Sequence, residues 1–203
     1  MTHDSEEHSA SAKEIKASLR KRVLERRDAM PPETRNTSSQ KIVRNVLGLA
    51  SYGDADVVLA YAGFGSELRT DEFLQRTLEL GKTLILPRVN RATNALDLYE
   101  VKDLERDLKA GTWGIREPVP DLCAPSDIGS VDFVLVPGVA FDGRGGRLGH
   151  GAGFYDGLLA KRRSSQTWLV AGAFEVQMVA NVPMLDHDVP LDLILTENRR
   201  YPS

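Results

Sequence analysis

The sequence predicts an α/β fold, a single-domain open and mostly parallel sheet with helices on both faces. Three observations carry that expectation. Short apolar runs alternate along the chain with stretches of helical period, as in a sheet covered on both sides. The run Asp132 to Pro137 (DFVLVP) is apolar nearly throughout, as suits a strand buried on both faces. A glycine-rich run, Arg147 to Asp156 (RLGHGAGFYD), follows that strand and opens a helix, the place where such sheets bind ligands.

The elements follow in order. Ser11 with Glu14 three residues on is a capping-box signal, which predicts a helix from Ala12 to Met30. Residues 1–12 then read as a disordered tail and residues 13–203 as one domain. Ile15, Leu19 and Val23 recur every fourth position and mark the buried stripe of that helix. At ~100° per residue, Lys13, Lys16, Arg20 and Arg27 fall within about 60° of one another, and this basic stripe borders the apolar one. Pro31 and Pro32 stop the helix, and a second is expected from Glu33 to Leu49. Val57 to Tyr61 reads as a strand. Thr70 is placed to cap a helix with Asp71 and Glu72 in its first turn, and Gly81 to end it. Thr83 to Pro87 is the next strand, and Ala95 to Val101 alternates as a half-exposed strand does. After the glycine run come a helix from Phe154 to Arg163 and strands at Trp168–Phe174 and Leu191–Thr196.

Composition narrows the function classes. With 203 residues, 41% of them hydrophobic and 27% charged, the chain can bury the core of one soluble globular domain. No apolar run approaches the roughly 20 residues of a membrane span, and the acidic, polar start is unlike a signal peptide. A single cysteine, Cys123, excludes an internal disulfide and points to the cytoplasm. The net charge of -3 supplies no global field for nucleic acid, so an anion site must be local.

The glycine run is the best candidate for such a site. Bare backbone lets N–H groups approach an anion, and the following helix N-terminus adds a favourable dipole. It is not a Walker A loop, because Ala152 and Gly153 stand where Lys and Ser or Thr belong. Nor is it G-x-G-x-x-G, since Gly149, Gly151 and Gly153 alternate strictly. By themselves the residues support an anion or nucleotide loop, or a tight strand-to-helix turn.

The motifs taken together are sharper. Lys16-Ala-Ser-Leu-Arg20, Glu67-Leu-Arg-Thr70, Gly111-Thr-Trp-Gly-Ile-Arg-Glu-Pro118, Val136-Pro-Gly-Val-Ala-Phe-Asp142, the Arg147–Asp156 run and His187-Asp188-Val-Pro-Leu-Asp192 occur in that order. In order and spacing the set resembles the 5-formyltetrahydrofolate cyclo-ligase, or methenyltetrahydrofolate synthetase, family. The resemblance runs from Lys13 to Asn198.

It implies a fold of the NagB/RpiA/CoA-transferase-like group and an ATP- and Mg²⁺-dependent conversion of 5-formyltetrahydrofolate to 5,10-methenyltetrahydrofolate. ADP and phosphate are released, and the formyl oxygen is phosphorylated on the way. It assigns Lys16, Arg20 and the loop residues Arg147, Leu148, Gly149, His150, Gly151, Ala152, Gly153, Phe154 and Tyr155 to ATP, with Arg147 as the catalytic phosphate clamp. Gly149 to Phe154 also touch the folate, joined by Ala62, Glu67 and Trp113, while Pro137, Gly138 and Phe141 shape its wall. Asp156 and Asp188 correspond to the Mg²⁺ ligands, with Asp192 as the substitute for the second. His150 and Ala152 depart from the Tyr or Arg and the Gly or Lys common in the family. Cys123 reads as a small loop hydrophobe and His187 as a loop neighbour of the metal site. The expected partner is a folate, with or without a polyglutamate tail, and the enzyme is expected to be a monomer in the cytoplasm. An ATP-independent isomerase or transferase and a non-catalytic folate- or nucleotide-sequestering protein are the rival classes.

Overall fold

The computed structural model describes residues 3–111, 114–161, 167–185 and 188–202. The first helix, α1 (His3–Asp28), starts earlier than the expected Ala12, so Ser11 and Glu14 lie inside it and do not cap its start. Pro32 sits in the first turn of α2 (Pro32–Leu47), where its missing N–H costs nothing, and a short α3 (Ala50–Gly53) follows. Next come β1 (Val57–Leu59) and α4 (Asp71–Glu79). Thr70 holds the N-cap position of α4 but does not cap it. Its hydroxyl donates to Tyr61 O (2.7 Å) and accepts from Gly63 N (3.0 Å), bracing the loop after β1 instead.

The chain continues through β2 (Thr83–Asn90), β3 (Ala95–Val101), a hairpin of β4 (Leu108–Ala110) with β5 (Arg116–Pro118), and β6 (Ala124–Ser126). After β7 (Phe133–Leu135) come β8 (Ala140–Asp142), β9 (Arg147–Leu148) and α5 (Phe154–Leu159). The last elements are β10 (Trp168–Gly172), β11 (Met178–Val179), β12 (Leu193–Leu195) and β13 (Arg200–Tyr201). α5 stops at Leu159, short of the expected Arg163, which lies outside the described residues.

The main sheet has eight strands in the order β13-β12-β10-β7-β1-β2-β3-β6. Its middle, from β12 to β2, is parallel, and β13, β3 and β6 pair antiparallel at the edges. Period-2 alternation sorts its side chains. Leu84, Leu86, Phe133 and Leu135 meet Ile42, Val43 and Val46 of α2 and Phe73 and Leu74 of α4 on one face. Ile85, Val134, Leu169 and Ile194 meet Leu158 and Leu159 of α5 on the other. All three residues of β7 are buried, as its unbroken apolar run requires.

The first helix does something else. A second sheet, β11-β8-β9, forms a platform beside the main one. Leu19 and Val23 of α1 pack there with Val139, Ala140, Leu148 and Val182. Burial of each such aliphatic side chain contributes roughly 1.5–3 kcal/mol, enough to dock the helix. Ile15, expected in the same stripe, is 52% exposed, because the platform ends before reaching it.

Candidate active site

Docking by Leu19 and Val23 turns the bordering basic stripe of α1 toward the carboxyl end of the main sheet. Lys16 Nζ lies 2.7 Å from Asp188 Oδ2, and one turn on, Arg20 Nε donates to Gly149 O at 2.9 Å. Partial burial lowers the Arg20 pKa, a sign that its charge is short of water. Arg27 is almost wholly buried and its Nε donates to Ser66 Oγ at 3.0 Å. Ser66 in turn donates to the Asp28 carboxylate, which ties the loop after β1 to the end of α1. Neither Ser66 nor Asp28 stands out in the sequence. The only signal toward them is that Arg27 belongs to the basic stripe.

The glycine run begins in β9, where Arg147 pairs with Phe141 of β8. Arg147 is 5% exposed, and its Nη2 donates to the Asp156 carboxylate in the first turn of α5. Two glycines make room for these cations. A Cβ at Gly138 would stand 2.5 Å from the Phe141 ring and 3.1 Å from Arg147 Cγ. Gly151 has φ +106, and a Cβ there would come within 3.3 Å of Arg20 Nη2, so the left-handed turn lets α1 reach over the loop. Arg20 of α1 thus meets the run that Arg147 opens.

Across the loop, Glu67 is nearly buried in the segment after β1. Its Oε1 is 3.0 Å from His150 Nε2, and its Oε2 accepts from Phe64 N at 3.3 Å. The Phe64 and His150 rings lie 5.9 Å apart, tilted by 36°. Tyr155 and Tyr61 complete the surroundings of Glu67. Burial pushes both phenols well above their ordinary pKa, and the Glu67 charge pushes them in the same direction. Arg147 opposes that rise at Tyr155, and Arg27 opposes it at Tyr61.

Lys16, Arg20, Glu67, Arg147, His150, Asp156 and Asp188 are thus linked in one region by α1 and the glycine loop. Ala62 is half-buried near the start of the Glu67 loop. The side chain of Leu148 packs with Leu19 and Val23 of α1, and Phe141 is fully buried. Asp192 lies elsewhere. Its Oδ2 accepts from Leu169 N at 2.8 Å, at the amino end of β10. Trp113 and His187 lie outside the described residues. Cys123 is buried in the core, where desolvation raises its pKa. Two surface grooves of 690 and 430 Å³ hold none of the linked residues.

Comparison with known proteins shows the family and the fold. The profile of the 5-formyltetrahydrofolate cyclo-ligase family matches residues 12–197. A 5-formyltetrahydrofolate cyclo-ligase of Mycolicibacterium smegmatis is 33% identical over 186 residues, covering 91% of this chain and 94% of the relative. A probable 5-formyltetrahydrofolate cyclo-ligase of Caenorhabditis elegans is 26% identical over 196 residues, covering 93% and 95%. The solved 5,10-methenyltetrahydrofolate synthetase of Aquifex aeolicus superposes with TM-score 0.79 at 34% identity, over 92% of each chain.

Proposed function

The chain belongs to the 5-formyltetrahydrofolate cyclo-ligase family, and from that premise we propose that it converts 5-formyltetrahydrofolate to 5,10-methenyltetrahydrofolate, with ATP cleaved to ADP and phosphate. The reaction has a plain difficulty. The oxygen of an N-formyl group is a poor leaving group, so it must first be phosphorylated. The neighbouring folate nitrogen then attacks the activated carbon, the ring closes and phosphate departs. Such chemistry asks the protein for positioning and charge stabilisation rather than for a nucleophile.

One observation carries the reading. Arg147 is buried at the glycine loop with its Nε lacking any hydrogen-bond partner among the described residues. A buried guanidinium with a free donor, between bare backbone and a helix N-terminus, suits a phosphoryl group. Lys16, Arg20 and the main chain from Gly149 to Tyr155 would hold the triphosphate, and Arg147 would neutralise the charge that builds up during transfer. Glu67 would accept from N–H groups of the folate ring, since a carboxylate has lone pairs to spare beyond those used by His150 and Phe64. Ala62, Trp113 and the segment Gly149–Phe154 would line the folate side.

The fit to magnesium is to an ion arriving with phosphate oxygens. Asp156 and Asp188 are separate carboxylates, each engaged by a cation, and no group of three or more ligand-type side chains among the described residues forms a cage. Mg²⁺ needs only one or two carboxylates when phosphates and water complete its shell, and there it would shield the negative charge of the transferring group. Nucleotide binding would then exchange partners. Arg147 and Lys16 turn to phosphate while Asp156 and Asp188 are released to the metal. We also propose the NagB/RpiA/CoA-transferase-like fold group and a monomeric cytoplasmic enzyme. Cys123 is buried, and among the described residues no helix is long and apolar enough to cross a membrane.

The test is to incubate the protein with 5-formyltetrahydrofolate and Mg·ATP while following methenyl absorbance and phosphate release. Equal, ATP-dependent rise of both is expected. Binding of both ligands without phosphate release would instead mark a sequestering protein, and folate turnover without ATP a different enzyme class.

A further inference from the structure

Two buried side-chain polar atoms among the described residues lack a hydrogen-bond partner, and both belong to the glycine run. They are Arg147 Nε and Tyr155 Oη. Nearly all buried polar groups are paired, because an unpaired one forfeits its bonds to water. An unpaired hydroxyl beside a ligand site is therefore kept for the ligand. Tyr155 also carries the only hydroxyl of the run Arg147–Asp156, its neighbour being Phe154. Its place in the first turn of α5 and its packing against the core beneath the sheet hold the ring in position.

We infer that the Tyr155 hydroxyl is the hydrogen-bond donor to the formyl oxygen of the folate while that oxygen takes up the phosphoryl group and then leaves with it. The inference rests on the proposed function and adds a residue that contacts the reacting atoms. Arg147, the cation assigned to phosphate, pairs with Asp156, the residue next to Tyr155, and the charge of Glu67, the carboxylate assigned to folate, also acts on the Tyr155 phenol. One atom belongs to folate at the start of the reaction and to phosphate at its end, and that atom is the formyl oxygen. In the first step its lone pair bonds to the γ-phosphorus and ADP leaves with the electrons of the broken P–O bond. In the second, the folate nitrogen bonds to the formyl carbon, the C–O bond breaks, and phosphate departs with that electron pair. The nitrogen's proton passes to solvent. Tyr155 keeps its own proton throughout. A tyrosine hydroxyl is protonated at neutral pH, so the residue serves as a donor and not as a base.

Tyr155→Phe removes the oxygen and leaves the ring. In the ligand-free protein its melting temperature should equal or exceed that of the wild type, because the hydroxyl has no protein partner to lose. Turnover should fall about 10²-fold, as when one charge-stabilising donor is removed. The KM values for 5-formyltetrahydrofolate and ATP should stay within about twofold, because the bond matters most as charge develops. A lower ligand-free melting temperature would show that the hydroxyl bonds to the protein and overturn the inference. So would unchanged turnover in an active background. A wild-type protein without turnover sinks the functional reading itself.

Discussion

At the amino ends of the parallel strands, aspartates are tied to the main chain. Asp132 Oδ2 accepts from Asp56 N (3.0 Å) and Val57 N (2.9 Å), and Asp192 Oδ2 accepts from Leu169 N (2.8 Å). At the other end Asp156 is held by the Arg147 guanidinium, and Asp188 by Lys16 as well as by Leu185 N. The residue type is the same and the partners differ. A main-chain N–H cannot leave its strand, so the first kind of bond is fixed. A long cationic side chain can turn to another anion, so the second kind can be exchanged. The carboxylates at one end are thus pinned by main chain alone, whereas the cation contacts of Asp156 and Asp188 can be exchanged, as the proposed phosphate chemistry would require.

The comparison can be broken in several places. The largest effect should come from Arg147→Ala, which should lower turnover by about 10² to 10³ without rescue by added metal. A loss below tenfold in a folded variant would remove Arg147 from the chemistry. Asp156→Asn should raise the Mg²⁺ requirement, with part of the rate recovered at high metal because Asp188 remains. Its counterpart at the pinned end, Asp192→Ala, should leave the metal curve alone and cost about 1 kcal/mol of stability. Rates measured against Mg²⁺ concentration and denaturant melts separate the two, and a metal shift in Asp192→Ala would reverse the assignment.

Lys16→Ala and Arg20→Ala should each weaken ATP binding roughly tenfold, the size of one charge-assisted hydrogen bond, with less effect on folate. Calorimetric titration of each ligand alone checks this, and equal losses for both would count against a nucleotide helix.

A smaller effect concerns pH. Asp142 is buried, which by itself opposes its charge, but the N–H groups of Val182, Arg144 and Gly146 overcome that and lower its pKa. A carboxyl depressed in the folded state adds stability above its unfolded pKa of about 3.9, and that stability is lost as pH falls through the folded value. Asp142→Asn should therefore flatten the decline in stability below about pH 4. An equally steep decline would show that other groups set it. The smallest effect is expected from deleting residues 1–9, which precede every contact of α1 described above. Turnover should be nearly unchanged, and a large loss would bring that segment into the site.

Local chemistry made much of this legible in the sequence. Ala95–Val101 is a strand with the expected bounds, read from its mixed apolar and polar pattern between turn residues. The apolar run around Phe133–Leu135 announced the buried centre of the sheet in the same way. Gly81, at φ +72, follows α4 as its sequence suggests. The Arg147–Asp156 motif marks the candidate site by its residue types alone. Its specificity lies in residue order, which the resemblance reads and periodicity does not.

Other features had no local signal. The strands β8, β9 and β11 are two or three residues long, too short for a periodic signal, and β11 forms by pairing with β8 from a distant part of the chain. Ile15 fits the helical period as well as Leu19 does, yet no surface reaches it. Thr70 has the identity of a cap, but its hydroxyl meets better-placed partners in the loop after β1.

The sequence by itself determined the α/β class and the main strands, because these follow from the periods and turn residues of short segments, and it singled out the glycine run as the candidate site through residue order. Only the tertiary structure decided which carboxylates face a cation and which face a strand end, and which hydroxyl is buried without a partner. Those outcomes depend on atoms brought together from positions as far apart as Lys16 and Asp188, and no local pattern encodes such an encounter.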